Sequence, residues 1–298
     1  MRILLSGGTG LIGSAVTAKL QDAGHEVVHL SRNPRKNAQP PQFGWNVEKG
    51  EIDPAALENC EVIINLAGAP IAERWTPEHK SEILRSRVDG TRLLFNAVRE
   101  HQPPLKTFIS ASAVGFYRND YQREHREDDP PGDDFLSLVC QKWESEARNF
   151  EELDIRTLRV RIGIVLSEKG GALPQMAKPV KFGVGAPLGN GKQLMPWIHL
   201  EDLARQFVFL LENENLSGAI NGVGPKSLSN KELTRAIARV LNKPLWLPNV
   251  PAGALRLMLG EMAKAALASN GASSQKIESA GFRYRFAEID PALKDLLL

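Results

Sequence analysis

Two cysteines, Cys60 and Cys140, are the whole thiol complement of this 298-residue chain, and they form no Cys-x-x-Cys pair. That scarcity excludes a disulfide framework and a thiolate zinc site, and it fits a reducing compartment. The few histidines are scattered and no metal site is expected. No apolar stretch reaches the roughly 18 residues that a membrane-spanning helix needs. Lys and Arg number 37 against 35 Asp and Glu, without a long basic block, so nucleic acid is not an implied partner. Internal repeats and low-complexity segments are also missing. What remains is an ordinary globule, 42% hydrophobic and 24% charged. Its expected location is cytoplasmic, and its length suits one large α/β domain and a smaller one.

Against these absences stands the N-terminus, Met-Arg-Ile-Leu-Leu-Ser-Gly-Gly-Thr-Gly-Leu-Ile-Gly. Arg2 to Leu5 is an apolar run of the kind that forms a buried parallel strand. Gly7, Gly10 and Gly13 follow at intervals of three, and Ser14 to Leu20 is helix-compatible. A strand turning through glycines into a helix leaves free N–H groups at the positive end of the helix dipole, which suits a pyrophosphate. The loop residues Thr9, Leu11 and Ile12 belong to the same expected dinucleotide site. A purely structural glycine turn is the plainer alternative.

Strand and helix patterns then alternate to about residue 166. Strands are expected at Glu26–Leu30, Phe43–Asn46, Val62–Leu66, Lys106–Ser110 and Ile155–Ile162. Long helices are expected at 77–100 and 134–153. This is an α/β, Rossmann-type, doubly wound parallel sheet over residues 1–166. Residues 167–298 read as a smaller, mixed C-terminal lobe covering the open end of the sheet, with a strand crossing back near Ala219–Asn221.

The end of the second strand also lacks something. Binders that prefer NAD carry a carboxylate there for the ribose 2′-hydroxyl, whereas this strand ends in Ser31-Arg32. A guanidinium fork can clasp a 2′-phosphate, which points to NADP(H). Arg32 as a solvated turn charge is the plain alternative.

Further along lie Asn65-Leu66-Ala67-Gly68, Ser110-Ala111-Ser112-Ala113-Val114-Gly115-Phe116-Tyr117, Arg161 to Leu166 and Pro196 to Asp202. With the glycine loop, these resemble the extended short-chain dehydrogenase/reductases. Val250-Pro251-Ala252, Leu259 to Met262 and Ala280-Gly281-Phe282 resemble the C-terminal segment of one subgroup, the NADP-binding "epimerase family" related to nucleotide-sugar epimerases. The resemblance implies a Ser/Thr, Tyr and Lys set, with Tyr-x-x-x-Lys on one helix face. It places Ser112 at the Ser/Thr position and Lys142 at the lysine, beside the nicotinamide ribose. The tyrosine position is then Leu138, which cannot carry a proton.

Tyr117 is the candidate replacement acid/base, or else an aromatic wall. Cys140, roughly 200° round the helix from Leu138, is expected to face elsewhere as buried filler. His199 is expected to order the start of the next helix. The resemblance also implies cofactor contacts from Leu66, Ala67 and Gly68, and from the Val165 backbone. Arg87 with Glu82 would hold cofactor hydroxyls or phosphate, unless they are a surface helix pair. The glycines at 183, 185, 189 and 191, with Leu188, Gln193 and Trp197, suggest a substrate lid or a connector. Two functions stay open. One is an epimerase-like oxidoreductase acting on a small polar, sugar-like substrate; the other is a non-catalytic NADP(H)-binding redox sensor or scaffold. A homodimer through the two long helices is a family expectation.

Overall fold

The apolar run at the N-terminus is sealed on both sides, because alternate side chains of a strand face opposite layers. In the computed structural model, which describes residues 1–298, Ile3 and Leu5 lie in one core cluster and Leu4 in another. Burying each such side chain is worth about 1.5–3 kcal/mol.

The strands in chain order are β1 (Arg2–Ser6), β2 (Glu26–Ser31), β3 (Gln42–Asn46), β4 (Glu51–Ile52), β5 (Cys60–Asn65) and β6 (Thr107–Ala113). They continue as β7 (Asp120–His125), β8 (Arg156–Ile162), β9 (Ile164–Leu166) and β10 (Leu194–Met195). The last are β11 (Trp197–His199), β12 (Gly218–Gly222), β13 (Leu228–Ser229) and β14 (Asn270–Ala272). One eight-stranded sheet has the order β12-β8-β6-β5-β1-β2-β3-β4. Only β4 runs antiparallel to its neighbour. The small pairs β10–β13, β9–β11 and β14–β7 lie outside it.

Among the helices, α1 (Leu11–Asp22), α2 (Pro77–His101) and α3 (Phe135–Arg148) belong to the first half of the chain. The second half holds α4 (Ala172–Lys181), α5 (Leu200–Glu212), α6 (Asn230–Val240), α7 (Ala252–Leu259), α8 (Ala263–Leu267), α9 (Gln275–Ser279) and α10 (Ile289–Leu297). Val16 and Leu20 of α1 and Phe207 of α5 cover one face of the sheet. Leu94 and Val98 of α2 cover the other, together with Phe150 just beyond α3. Covering both faces yields the doubly wound sheet expected from the alternation.

Local chemistry sets the helix starts. Thr76 caps α2 by accepting the His79 N–H at 3.2 Å, with Pro77 in the first turn. Asp134 caps α3 by accepting the Ser137 N–H at 2.9 Å. The expected 134–153 helix is shorter than its pattern, because its last turn is a 3-10 segment, Asn149–Leu153.

The strand expected to cross back does so: β12 pairs in parallel with β8 at the sheet edge. The segment after residue 167 therefore serves both parts of the molecule. Its β12 and α5 complete the sheet layer, while α4, α6 and α10 enclose a separate core around Leu173, Leu233, Ile237 and Leu293.

Candidate active site

Parallel strands deliver their functional residues to one edge, and the crevice lies outside their carboxyl ends. At the centre, β1 turns through Gly7 into α1. Gly7 has φ +71, and a Cβ there would stand 2.9 Å from the Ala67 backbone. A Cβ on Gly13 would stand 2.2 Å from the Gly7 carbonyl oxygen. Only glycine permits this approach of loop, helix and strand. No side chain caps α1, and its first turn holds no acidic residue. Its first N–H groups are therefore available to an anion. Thr9 and Gly10 are exposed and Leu11 and Ile12 half-buried along this edge. His29 packs beneath Gly8 and shares a 2.9 Å hydrogen bond with Thr17 Oγ1. Burial holds its imidazole below the usual value.

Beside the loop, β2 ends at Ser31, whose Oγ accepts the Asn33 N–H at 3.2 Å. Arg32 is exposed there. The scattered histidines do include one His-x-x-x-His spacing: His25-Glu26-Val27-Val28-His29 spells the His-Glu-x-x-His letters of zinc proteases. On an extended segment the two histidines stand about 13 Å apart, too far to share an ion, and no group of three ligand residues converges anywhere in the structure.

A buried hydrogen-bond chain ties β1, β5 and α2 together. Ser6 Oγ donates to Asn65 Oδ1 at 2.6 Å, and Asn65 Nδ2 donates to Thr91 Oγ1 at 2.9 Å. Thr91 Oγ1 in turn donates to the Arg87 carbonyl at 2.8 Å. The loop that continues β5 through Leu66, Ala67 and Gly68 is held by α2. Ser86 Oγ accepts the Ala69 N–H at 2.9 Å, and Arg87 donates to the Ala69 carbonyl at 3.1 Å. Arg87 is only 8% exposed and lies against Gly68. Glu82 does not join it. Five residues turn a helix through about 500°, so Glu82 faces solvent and pairs with His79 at 3.3 Å.

The register of α3 differs from the expectation, and this is the main correction to the catalytic set. Lys142 is exposed on the outer side of the α2–α3 pair, with Arg85, Asp89 and Arg92. Leu138 is 49% exposed. The inward positions are two residues earlier. Leu136 lies against Gly115 just past β6, and the Cys140 thiol is within hydrogen-bonding reach of Ser112. Leu136 and Cys140 have the Tyr-x-x-x-Lys spacing, so neither inward position carries an acid or a cation. Burial pushes the Cys140 thiol up to about 12, with Glu144 adding to the effect.

Ser112 Oγ donates to Glu144 Oε1 at 2.7 Å. The same carboxylate takes Arg161 Nε at 2.8 Å and its terminal nitrogen at 3.0 Å. Arg161 also donates to Tyr117 Oη at 2.9 Å, and Tyr117 donates to Asn221 Oδ1 at 2.7 Å. Tyr117 is fully buried, stacked on His125 at 4.8 Å, and pushed up to about 12 by burial. It is neither an acid/base open to a substrate nor a cleft wall, but a member of this network. Sequence pattern assigned no site role to Glu144, Arg161 or Asn221, although Arg161 and Asn221 lie in segments it singled out. The four-residue step from Cys140 to Glu144 was the available signal for Glu144.

From the second half of the chain, the β9 end approaches the glycine loop. A Cβ on Gly171 would stand 3.4 Å from the Val165 carbonyl oxygen and 3.5 Å from Leu11. The Leu188 region is tied down: its N–H donates to Asn230 at 2.7 Å, and Gln193 Nε2 donates to its carbonyl at 3.2 Å. Trp197 is buried. His199 caps α5 by accepting the Glu201 N–H at 3.1 Å, as its place in the sequence suggests.

The sequence model of the NAD dependent epimerase/dehydratase family matches residues 3–224. A second model, described as a domain of unknown function (DUF1731), matches residues 250–296. The chain is 38% identical to the mouse epimerase family protein SDR39U1, with all of both chains covered. It is also 38% identical to the epimerase family protein YfhF of Bacillus subtilis, covering all of this chain and 98% of the relative. The crystal structure of the human epimerase family protein SDR39U1 with NADPH superposes with a TM-score of 0.89. That structure is 34% identical and 99% of each chain is covered.

Proposed function

The chain belongs to the NAD dependent epimerase/dehydratase family, and from that premise we propose that it is an NADP(H)-binding, epimerase-like oxidoreductase. The observation that carries the binding is the uncapped N-terminus of α1 opening beside exposed Arg32. The NADPH present in the similar human structure supports the same ligand.

In this reading, the loop residues Gly7, Thr9, Gly10, Leu11, Ile12 and Gly13 receive the pyrophosphate. Ser31 and Arg32 hold the 2′-phosphate. The backbone of Leu66, Ala67 and Gly68 lies along the nucleoside, and Val165 borders the nicotinamide half. The bound cofactor supplies or accepts hydride. The protein's own part in chemistry is narrow. Ser112 has its proton directed to Glu144, so toward the crevice it presents lone pairs and accepts a hydrogen bond. Leu136 and Cys140 supply no proton, which leaves that step to water or to the substrate itself.

The same absence favours a second reading, a nucleotide-binding sensor or scaffold without turnover. A cytoplasmic setting accords with two free, buried cysteines, and a homodimer would use the exposed α2–α3 side. Calorimetric titration with NADPH and NADH tests the cofactor: NADPH binds more tightly, and equal affinities overturn the reading. A panel of carbonyls and nucleotide sugars tests turnover, by nicotinamide absorbance and by product analysis. Silence in both assays selects the sensor.

A further inference from the structure

Two stretches of the second half of the chain carry charge of one sign only. No Asp or Glu occurs between Glu168 and Glu201, and none between Glu232 and Glu261. Of the 37 Lys and Arg, eight lie in these stretches, and the remaining 29 are outnumbered by the 35 carboxylates. An uneven distribution of this kind points to an anionic partner for the basic part. The two stretches meet in the fold, because α4 and α6 share the core around Leu173, Leu233 and Ile237. One of their cations is already neutralised, Arg239 by Asp290 of α10.

The end of α4 and the segment after α6 form an exposed tip of this basic part. Lys178, Lys181 and Lys243 are exposed there, and none of them is ion-paired. The same two segments hold Phe182, Val184 and Trp246, which are 75%, 53% and 69% exposed. Trp246 Nε1 donates to the Gly183 carbonyl at 2.9 Å, which sets the indole beside the neighbours of Gly183 in sequence. The turn is internally bonded as well. The N–H groups of Phe182, Gly183 and Val184 donate to the carbonyls of Lys178, Val180 and Pro179 at 3.3, 2.9 and 3.0 Å. Such a tip can enter an apolar interface without stripping water from unsatisfied N–H groups. Exposed Pro179, Pro244 and Pro248 stiffen it, so little conformational freedom is lost on binding.

Side chains this exposed project from the surface and do not line a groove, so they suit insertion into a deformable surface better than reception of a peptide. A nucleic-acid duplex would pair with the lysines through its phosphates and leave Phe182 and Val184 in water. An anionic bilayer engages both kinds of side chain. Its acyl boundary takes the rings, and its headgroups take the ammonium groups. We propose that this tip is a membrane-docking site, inserting Phe182, Val184 and Trp246 into the interface of a bilayer that carries anionic headgroups. No helix is long and apolar enough to cross a membrane, so the attachment is to its surface. The proposal is independent of the cofactor reading.

The test is co-sedimentation of the full chain, at constant ionic strength, with two kinds of vesicle. One contains equal parts of phosphatidylserine and phosphatidylcholine, the other phosphatidylcholine alone. The anionic vesicles carry the protein down and the neutral ones do not. Trp246→Ser and Phe182→Ser each weaken the partitioning by about tenfold. Changing Lys178, Lys181 and Lys243 together to Gln weakens it by about a hundredfold. Acyl chains brominated close to the headgroup quench the protein's fluorescence, and Trp246→Ser loses that quenching. Absence of binding, equal binding to neutral vesicles, or partitioning untouched by both Phe182→Ser and Trp246→Ser overturns the proposal. So does tighter binding to a DNA duplex than to the anionic vesicles, which would make the basic part a nucleic-acid surface. Self-association of the free chain that both variants abolish overturns it too, by making the tip an interface between copies. If Trp246→Ser does not fold, Phe182→Ser and the lysine variant decide the matter.

Discussion

Ser112 Oγ and Glu144 Oε1 stand 2.7 Å apart, and the serine gives its proton to the carboxylate. With its proton so committed, this hydroxyl can only accept a further hydrogen bond. Glu144 is equally constrained by the two hydrogen bonds from Arg161. Removing its charge leaves a buried guanidinium unpaired. Glu144→Gln is expected to cost about 3–5 kcal/mol and Ser112→Ala about 1–3 kcal/mol, measured by urea unfolding. Equal small losses in both variants would contradict the network.

Arg32 is exposed with no ion pair, so its replacement leaves the fold unchanged. Arg32→Ala should weaken NADPH by about tenfold or more through loss of charge-assisted hydrogen bonds. NADH affinity should not move. Parallel loss of both would assign Arg32 to something other than the 2′-phosphate.

Gly13→Ala puts a methyl group 2.2 Å from the Gly7 carbonyl oxygen. Backbone must move, and overpacking of this kind costs about 1–3 kcal/mol. The displaced loop should lose NADPH binding even where the variant remains folded. Thermal unfolding with and without NADPH checks both parts, because only a bound ligand raises Tm.

Both cysteines are buried, with thiols pushed up to about 11 at Cys60 and about 12 at Cys140. Burial disfavours the reactive thiolate at both positions. Neither cysteine should react with a disulfide reagent in the native protein, and both should react in urea. Rapid native labelling of either cysteine would contradict this burial.

His29 is buried beneath the glycine loop, and burial lowers its pKa below 6.5. Between the lowered native value and the ordinary unfolded one, the unfolded chain binds more protons than the native chain. Stability is therefore whole above about pH 6.5 and is lost as pH falls through that window. His199 is lowered in the same direction, also chiefly by burial. Tm should decline on acidification from pH 7, and His29→Gln should decline less steeply. An unchanged slope would show that His29 titrates normally.

The glycine spacing, the alternation of strands and helices, and Ser31-Arg32 are local patterns. A reader of the chain can take from them the doubly wound sheet, the nucleotide edge and the absence of an acidic ribose partner, because each depends on neighbours in sequence. Even β12 crossing back to the sheet was foreshadowed by the residues 219–221. The α3 register was not legible in that way. Ser112, Cys140 and Glu144 meet only because α3 packs against β6 in one rotational setting, and a two-residue error turns the chosen face by about 200°. That error exchanged exposed Lys142 for buried Cys140. Tyr117, a plausible acid by position, is closed off by Arg161 and Asn221, which arrive from strands 44 and 104 residues away. The sequence by itself determined the fold class and the cofactor edge. Which side chains of α3 turn inward, Leu136 and Cys140 in place of Leu138 and Lys142, only the tertiary packing decided.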